Sequence, residues 1–238
     1  DVFRINLSHA SIEDAKDIIS LVRSQEKMIG RPVAIMLDLQ GQKVRIKGFG
    51  KKPHVMLKSG DKYVLDPSLN DNGNQRTVGV TFKDLCKNVK PGDELLLSDA
   101  LIKLKVEEIK SKKIHTIVQR GGKLKPYQGV NKKGGGLSLS GITQKDKLDL
   151  KKSLSLEYDY VAVSFVKDDK DINDIRKIIK DKDIKIIAKI ERNEAIKNID
   201  KITKAADGLL VARGDLGVEI GIEQLPATQK FLIRKAIS

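Results

Sequence analysis

A single cysteine, Cys86, occurs in this chain of 238 residues, so no internal disulfide can form and a reducing compartment suits it. Tryptophan is absent, and five phenylalanines and four tyrosines are the only aromatics. The core must therefore be aliphatic. No apolar run approaches the roughly 18–20 residues that a membrane-spanning helix needs, so no membrane partner is expected. No basic-then-apolar leader opens the sequence, and the expected location is cytoplasmic. Acidic residues are in short supply: 32 against 46 basic ones, a net charge of +14. The imbalance is local, with −1 in residues 1–41, +12 in residues 42–139 and +3 in residues 142–238. A basic stripe is the footprint of nucleic-acid binding. Here no aromatic platform, recognition motif or arginine cluster accompanies it, so no nucleic-acid partner is expected. A domain that closes over nucleotide phosphates would want the same sign, and a lysine-rich solvated surface would show it too.

What is present is a rhythm of short apolar runs that stop abruptly at charge. Residues 2–6 read as a strand, and Ser11-Ile12-Glu13-Asp14 as a helix start of the capping type. Ile12, Ala15, Ile18, Ile19 and Val22 then follow at helical spacing, and Gly30-Arg31-Pro32 ends the helix. Residues 33–38 form the next buried strand. After Gly41 the runs shorten and turn signals crowd in, at Pro53, Ser59-Gly60-Asp61, Asp71-Asn72-Gly73, Pro91-Gly92-Asp93 and Gly121-Gly122. That texture predicts an antiparallel β domain over 42–139, inserted between barrel-type segments 1–41 and 140–238. Gly134-Gly135-Gly136 reads as the flexible return. The α/β rhythm resumes with strands at 160–165, 184–190 and 208–212, helices at 168–180 and 193–204, and a helical pattern from about 222 onward. Five buried strands fit either part of a closed strand–helix barrel, which needs eight, or an open doubly wound sheet.

Two runs organise the chain: Ile186-Ile187-Ala188-Lys189-Ile190-Glu191 and Asp207-Gly208-Leu209-Leu210-Val211-Ala212-Arg213-Gly214-Asp215-Leu216-Gly217. Strands buried on both faces read as continuous apolar runs. Reactive groups of a strand–helix barrel sit where its strands end. Lys189, Glu191 and Asp215 are thus one ammonium and two carboxylates expected at one mouth. Two carboxylates anchor Mg²⁺, which takes its other oxygens from water and substrate. A lysine beside it would neutralise charge on a transferring phosphoryl group. The alternative for Lys-x-Glu alone is a buried ion pair between strands. The second run repeats the design, which favours a site.

IIAKIERNEAI and GLLVARGDLGVEI resemble the signature strands of pyruvate kinase, and FRINLSH and MLDLQGQKVR resemble two more of its motifs. The resemblance runs the length of the chain. It implies an α/β fold, a partial (β/α)8 TIM barrel with an inserted antiparallel β lid domain, and a chain truncated at both ends. One strand would precede residue 1, two would follow Ser238, and a C-terminal domain would be missing. It also implies phosphoryl transfer from phosphoenolpyruvate to ADP, giving pyruvate and ATP. In that reading Lys189 is the catalytic lysine and Arg4 grips the transferring phosphate. Glu191 and Asp215 bind Mg²⁺ or Mn²⁺, while Gly214 and Asp215 present backbone N–H groups to the substrate carboxylate. Arg45 and Asp99 contact nucleotide. Asn6, Ser8 and Asp38, with the Leu39 carbonyl, match the monovalent-cation position; Lys43 stands where a glutamate accompanies K⁺ dependence, so K⁺ is not expected to be required. The full-length protein is expected to be a homotetramer.

Three departures accompany the match. Gln128 replaces a lysine common before Gly-Val-Asn, Asp99 lies in Ser-Asp-Ala rather than Asp-Asp-Gly, and a substrate-contacting threonine of the family falls beyond Ser238. The fragment alone is therefore expected to be incomplete and inactive. A metal-dependent pyruvate lyase or aldolase barrel, and a catalytically dead binding module, are the alternatives.

Overall fold

Apolar runs that end in charge fold as parallel strands in the computed structural model, which describes residues 1–137, 141–180 and 182–237. The chain divides into two compact units, one of residues 1–42, 140–212 and 226–238 and the other of residues 43–139 and 213–225. The first division lies one residue from the expected boundary, and the expected boundary at 139/140 falls outside the described residues. Residues 213–225, expected with the barrel segment, group with the inserted unit.

The first unit opens with β1 (Val2–Asn6), α1 (Ile12–Ile29) and β2 (Ala34–Asp38). Ser11 caps α1 through a reciprocal pair of hydrogen bonds with Asp14, and Gly30, at φ +64°, closes it by donating to the Glu26 carbonyl. Ala15 and Ile19 are its buried residues; the expected Ile12, Ile18 and Val22 are only half-buried.

The second unit contributes β3 (Val55–Leu57), β4 (Lys62–Asp66), β5 (Thr77–Gly79), β6 (Glu94–Leu97), β7 (Ile102–Lys110), β8 (Lys113–Arg120), β9 (Gly122–Leu124) and β10 (Val130–Lys132). They form a six-stranded sheet in the order β10-β6-β7-β8-β4-β5 and a two-stranded sheet of β3 and β9. Every pair is antiparallel except β4 with β5, which run parallel. Residues 67–76 bring the chain round to the same direction. Tyr63, Leu65, Leu95, Leu97, Leu104 and Ile114 are fully buried in the core between them. Burial opposes ionisation of Asp66, yet hydrogen bonds from Lys113 and Ser68 hold its pKa at about 2.

The chain then continues through α2 (Gln144–Ser153), β11 (Tyr160–Val163), α3 (Asp169–Ile179), β12 (Lys185–Ile190), α4 (Asn193–Lys197), α5 (Ile199–Ala205), β13 (Gly208–Val211), α6 (Arg213–Ile220) and α7 (Leu225–Ile237). Helix α2 carries few apolar residues, Leu148 and Leu150, and Leu148 is exposed, so periodicity did not betray it. A second capping box, Thr143 with Asp146, starts it. The helix expected over 193–204 breaks in two at Asn198, whose side-chain amide donates to the Lys167 carbonyl at 2.9 Å. Of the isoleucines whose spacing puts them on one face of α3, Ile172, Ile175 and Ile179 are buried and Ile178 is half-buried.

The five strands of the first unit lie in the order β1-β2-β11-β12-β13, all parallel. Strand order follows chain order throughout, with no switch point at which it reverses. A doubly wound sheet requires such a reversal. The unit is part of a (β/α)8 barrel, and the open-sheet alternative is set aside on this topology.

Asp146 ties α2 to the end of β2. It is 1 % exposed and accepts hydrogen bonds from Gly41 N at 3.1 Å, Thr143 N at 2.8 Å and Thr143 Oγ1 at 2.6 Å. Asp146→Ala should cost about 2–4 kcal/mol, because it removes a cap and strands buried donors. Urea unfolding measures this, and a loss under about 0.5 kcal/mol would contradict the assigned bonds.

Candidate active site

Strand register decides which side chains meet at the strand ends. Strand β1 pairs with β2 so that Asn6 lies opposite Asp38, β2 pairs with β11 so that Asp38 lies opposite Ala162, and β11 pairs with β12 so that Val163 lies opposite Ala188. The ladder extends past the strands through Leu7 N to the Asp38 carbonyl and Leu39 N to the Ala162 carbonyl. Asp38, Ser164 and Lys189, far apart in the chain, therefore finish at one level.

Asp38 is the hub. Its carboxylate, 1 % exposed, takes Arg4 Nε at 2.7 Å and Arg4 Nη2 at 2.5 Å on Oδ2, while Lys189 Nζ lies 3.0 Å from Oδ1 and donates to Oδ2 at 3.3 Å. Lys189 Nζ also donates to Ser164 Oγ at 2.7 Å and lies 3.2 Å from Glu191 Oε1. Ser164 Oγ in turn donates to the Leu39 carbonyl at 2.7 Å. The second oxygen of Glu191 accepts the Phe165 N–H at 2.6 Å. Two cations thus face two carboxylates, all of them buried except the half-exposed Arg4. Charges taken out of water persist only when paired and hydrogen-bonded in this way.

The loop after β2 and the loop after β11 are fitted to each other. Gly41 sits at φ +65°, and a Cβ there would come within 2.8 Å of both the Phe165 ring and Ser164 Cβ. Phe165 itself adopts φ +56°, a conformation that a bulky residue rarely takes and that the neighbouring Glu191 acceptor helps to hold. Farther along that loop, Lys167 N donates to Asp171 at 2.9 Å. Burial nevertheless pushes the Asp171 carboxyl above its ordinary value.

Among the expected site residues, the first unit brings together Arg4, Asp38, Leu39, Lys189 and Glu191. Asn6 and Ser8 are nearby in the chain, with Asn6 Oδ1 accepting the Ser8 N–H at 3.0 Å. In the second unit Lys43 Nζ lies 2.5 Å from Asp215 Oδ1, and Arg45 Nη1 donates to the Tyr127 carbonyl at 3.1 Å. Asp215 lies in the first turn of α6, and a Cβ at Gly214 would meet nothing within 4 Å, so the backbone there is open to a ligand. Asp99 stands in a turn of three consecutive left-handed residues, Ser98 to Ala100. Gln128 uses its carbonyl to accept Ile46 N at 2.9 Å. Ser164 and Phe165 escaped the sequence reading, although the strand-end rule that singled out Lys189 applies equally to Ser164.

Glu191 in the first unit and Asp215 in the second each offer carboxylate oxygens, the donor type that a hard divalent cation such as Mg²⁺ takes. No group of three or more potential His, Cys, Asp or Glu ligands occurs among the described residues.

The family model "Pyruvate kinase, barrel domain" matches residues 1–238. Pyruvate kinase II of Salmonella typhimurium is 45 % identical over 242 residues, covering 99 % of this chain and 50 % of that protein. Pyruvate kinases of Clostridium perfringens and Geobacillus stearothermophilus are 37 % and 41 % identical, over 98 % and 99 % of this chain and 49 % and 40 % of their own lengths. The chain spans about half the length, or less, of these relatives.

Removing the hub should be expensive. Asp38→Ala leaves the Lys189 ammonium with one carboxylate and strands the inner end of Arg4, and breaking a buried pair this way costs about 3–5 kcal/mol. Chemical denaturation of wild type and variant checks it, and a near-neutral substitution would mean that the cluster is solvated.

Proposed function

The chain belongs to the pyruvate kinase family, and we propose that the protein containing it transfers the phosphoryl group of phosphoenolpyruvate to ADP, giving pyruvate and ATP. The observation that carries this reading is the Lys189 ammonium, buried at a strand end between Asp38, Ser164 and Glu191. Phosphoryl transfer needs little from a protein except positioning and charge neutralisation, and a fixed ammonium supplies both.

In this reading an oxygen of the ADP β-phosphate attacks phosphorus, the bond from phosphorus to the enol oxygen breaks, and the enolate that leaves is protonated to pyruvate. Arg4 holds the phosphoryl oxygens, with its guanidinium orientation set by Asp38. Lys189 stabilises the charge that passes from the phosphoryl group to the enolate. Gly214 and Asp215 offer N–H groups at the start of α6 to the substrate carboxylate. Arg45 and Asp99, on the basic second unit, serve the nucleotide. Glu191 and Asp215 would hold Mg²⁺ or Mn²⁺, which when bound supplies neutralisation of phosphate oxygens and Lewis acidity at the enolate oxygen.

Asn6, Ser8, Asp38 and the Leu39 carbonyl correspond to the monovalent-cation position, and Lys43 supplies a substitute charge, so K⁺ is dispensable. The complete protein acts in the cytoplasm as a homotetramer. No described helix is long and apolar enough to cross a membrane.

The direct test couples pyruvate formation to a dehydrogenase with full-length protein, phosphoenolpyruvate, ADP and Mg²⁺. Lys189→Met should lower kcat by roughly 10²–10³ or more, since it removes a charge placed for the transition state. Wild-type turnover that is absent, or unaffected by this substitution, would reject the assignment.

Monovalent-ion dependence gives a second check. Turnover should be equal in Na⁺ and K⁺ buffers, and Lys43→Glu, which inverts the charge, should make it K⁺-dependent. A large activation of the unmutated protein by KCl would remove Lys43 from the role of substitute ion.

A further inference from the structure

Lys43 is not solvated but committed to a partner. Its Nζ lies 2.5 Å from Asp215 Oδ1, with side-chain exposures of 19 % and 26 %. Both ends of this pair are carried on one hydrogen-bonded framework. Val130 N donates to the Val44 carbonyl at 2.8 Å, and Arg45 bridges Gly129. Beyond β10, Gly134 N donates to the Glu219 carbonyl of α6 at 3.0 Å. Lys43 therefore reaches Asp215 from a strand segment whose neighbour is itself tied to the helix bearing Asp215.

The arm of the lysine runs over Gly129, where a side chain would displace its end. A Cβ at Gly129 would lie 2.7 Å from Lys43 Cε and 3.5 Å from Nζ, with Asn131 Oδ1 at 3.8 Å from the same point. Gly129 is not in the left-handed region, so its backbone does not require glycine. The requirement is room for the lysine.

We propose that Lys43 is a built-in counter-ion for Asp215, and that a divalent cation binds this carboxylate only by displacing the ammonium. This rests on the reading above that Asp215 is a metal ligand. The physical reason is competition for the same oxygen. An ammonium at hydrogen-bond distance occupies Asp215 Oδ1, and a second cation on that carboxylate would be repelled by the first. Without metal, Lys43 neutralises Asp215 and fixes its orientation. With metal, the ammonium is released and can serve an anionic ligand. Lys43 is thus a positioning residue whose cost appears as weakened metal affinity.

The test is Mn²⁺ binding to the full-length protein, read from the electron paramagnetic resonance signal of free Mn²⁺, with no turnover involved. Lys43→Met should tighten Mn²⁺ binding roughly tenfold, the size of effect expected when a like charge within hydrogen-bond distance is removed. Gly129→Ala displaces the arm without altering charge and should shift affinity in the same direction. The melting temperature of metal-free Lys43→Met should fall below that of wild type, with the gap closing at saturating Mn²⁺. Unchanged or weaker Mn²⁺ binding in both variants overturns the counter-ion. Asp215→Asn separates the two readings. If it weakens Mn²⁺ binding while Lys43→Met leaves it unchanged, the counter-ion alone fails. If it leaves Mn²⁺ binding unchanged, Asp215 is not a ligand and both fail.

Discussion

A buried carboxylate shared by two cations holds the strand-end cluster of the first unit together. Asp38 accepts Arg4 from β1 on Oδ2 and lies within 3.3 Å of Lys189 from β12 through both oxygens, and so spans four strands of the sheet. The Lys189 ammonium could not stay at that depth alone, because desolvation of an unpaired charge costs more than the surrounding packing returns. Glu191 completes the neutralisation from two residues beyond Lys189. Its remaining oxygen fixes Phe165 in a left-handed turn. The loop after β11 is therefore shaped by a charge on β12, and the loop after β2 fits against it through Gly41.

Under the proposed function such a cluster suits phosphoryl transfer, because its charges are already paired in the resting protein. The ammonium does not have to be oriented or stripped of water when an anionic group arrives. Ser164 contributes by passing the hydrogen-bond chain from Lys189 to the Leu39 carbonyl, which leaves little freedom for the lysine.

The second unit manages a large positive excess by a different rule. Lys103 and Lys133 share Glu94, Lys132 pairs with Asp93, and Lys113 with Asp66, while Asp61 and Asp71 accept the backbone N–H groups of Lys58 and Gly48. Lys47, which has no acidic partner among the described residues, is half-buried and donates to Asn70 Oδ1 instead. Lys43 belongs to the paired class, and its partner comes from residues 213–225, far along the chain.

The sequence by itself determined the elements whose signals are local. Continuous apolar runs ending in charge placed β1, β2, β11, β12 and β13, and the Ser11 capping pattern placed the start of α1. The same strand-end logic placed Lys189 and Glu191 at the end of β12, and motif resemblance added Arg4 and Asp38. Helix α2 was not legible, because its polar surface carries no periodic stripe and its start depends on Asp146 bonding to Gly41, over a hundred residues earlier. The parallel pairing of β4 with β5, the left-handed Phe165 and the role of Ser164 were equally hidden. Tertiary structure alone decided the partners: Lys189 meets Asp38 across 151 residues and Lys43 meets Asp215 across 172. A side chain's residue type and spacing state what it can bond. Which oxygen it finds is set by strand register and loop course, and these emerge only when distant segments pack.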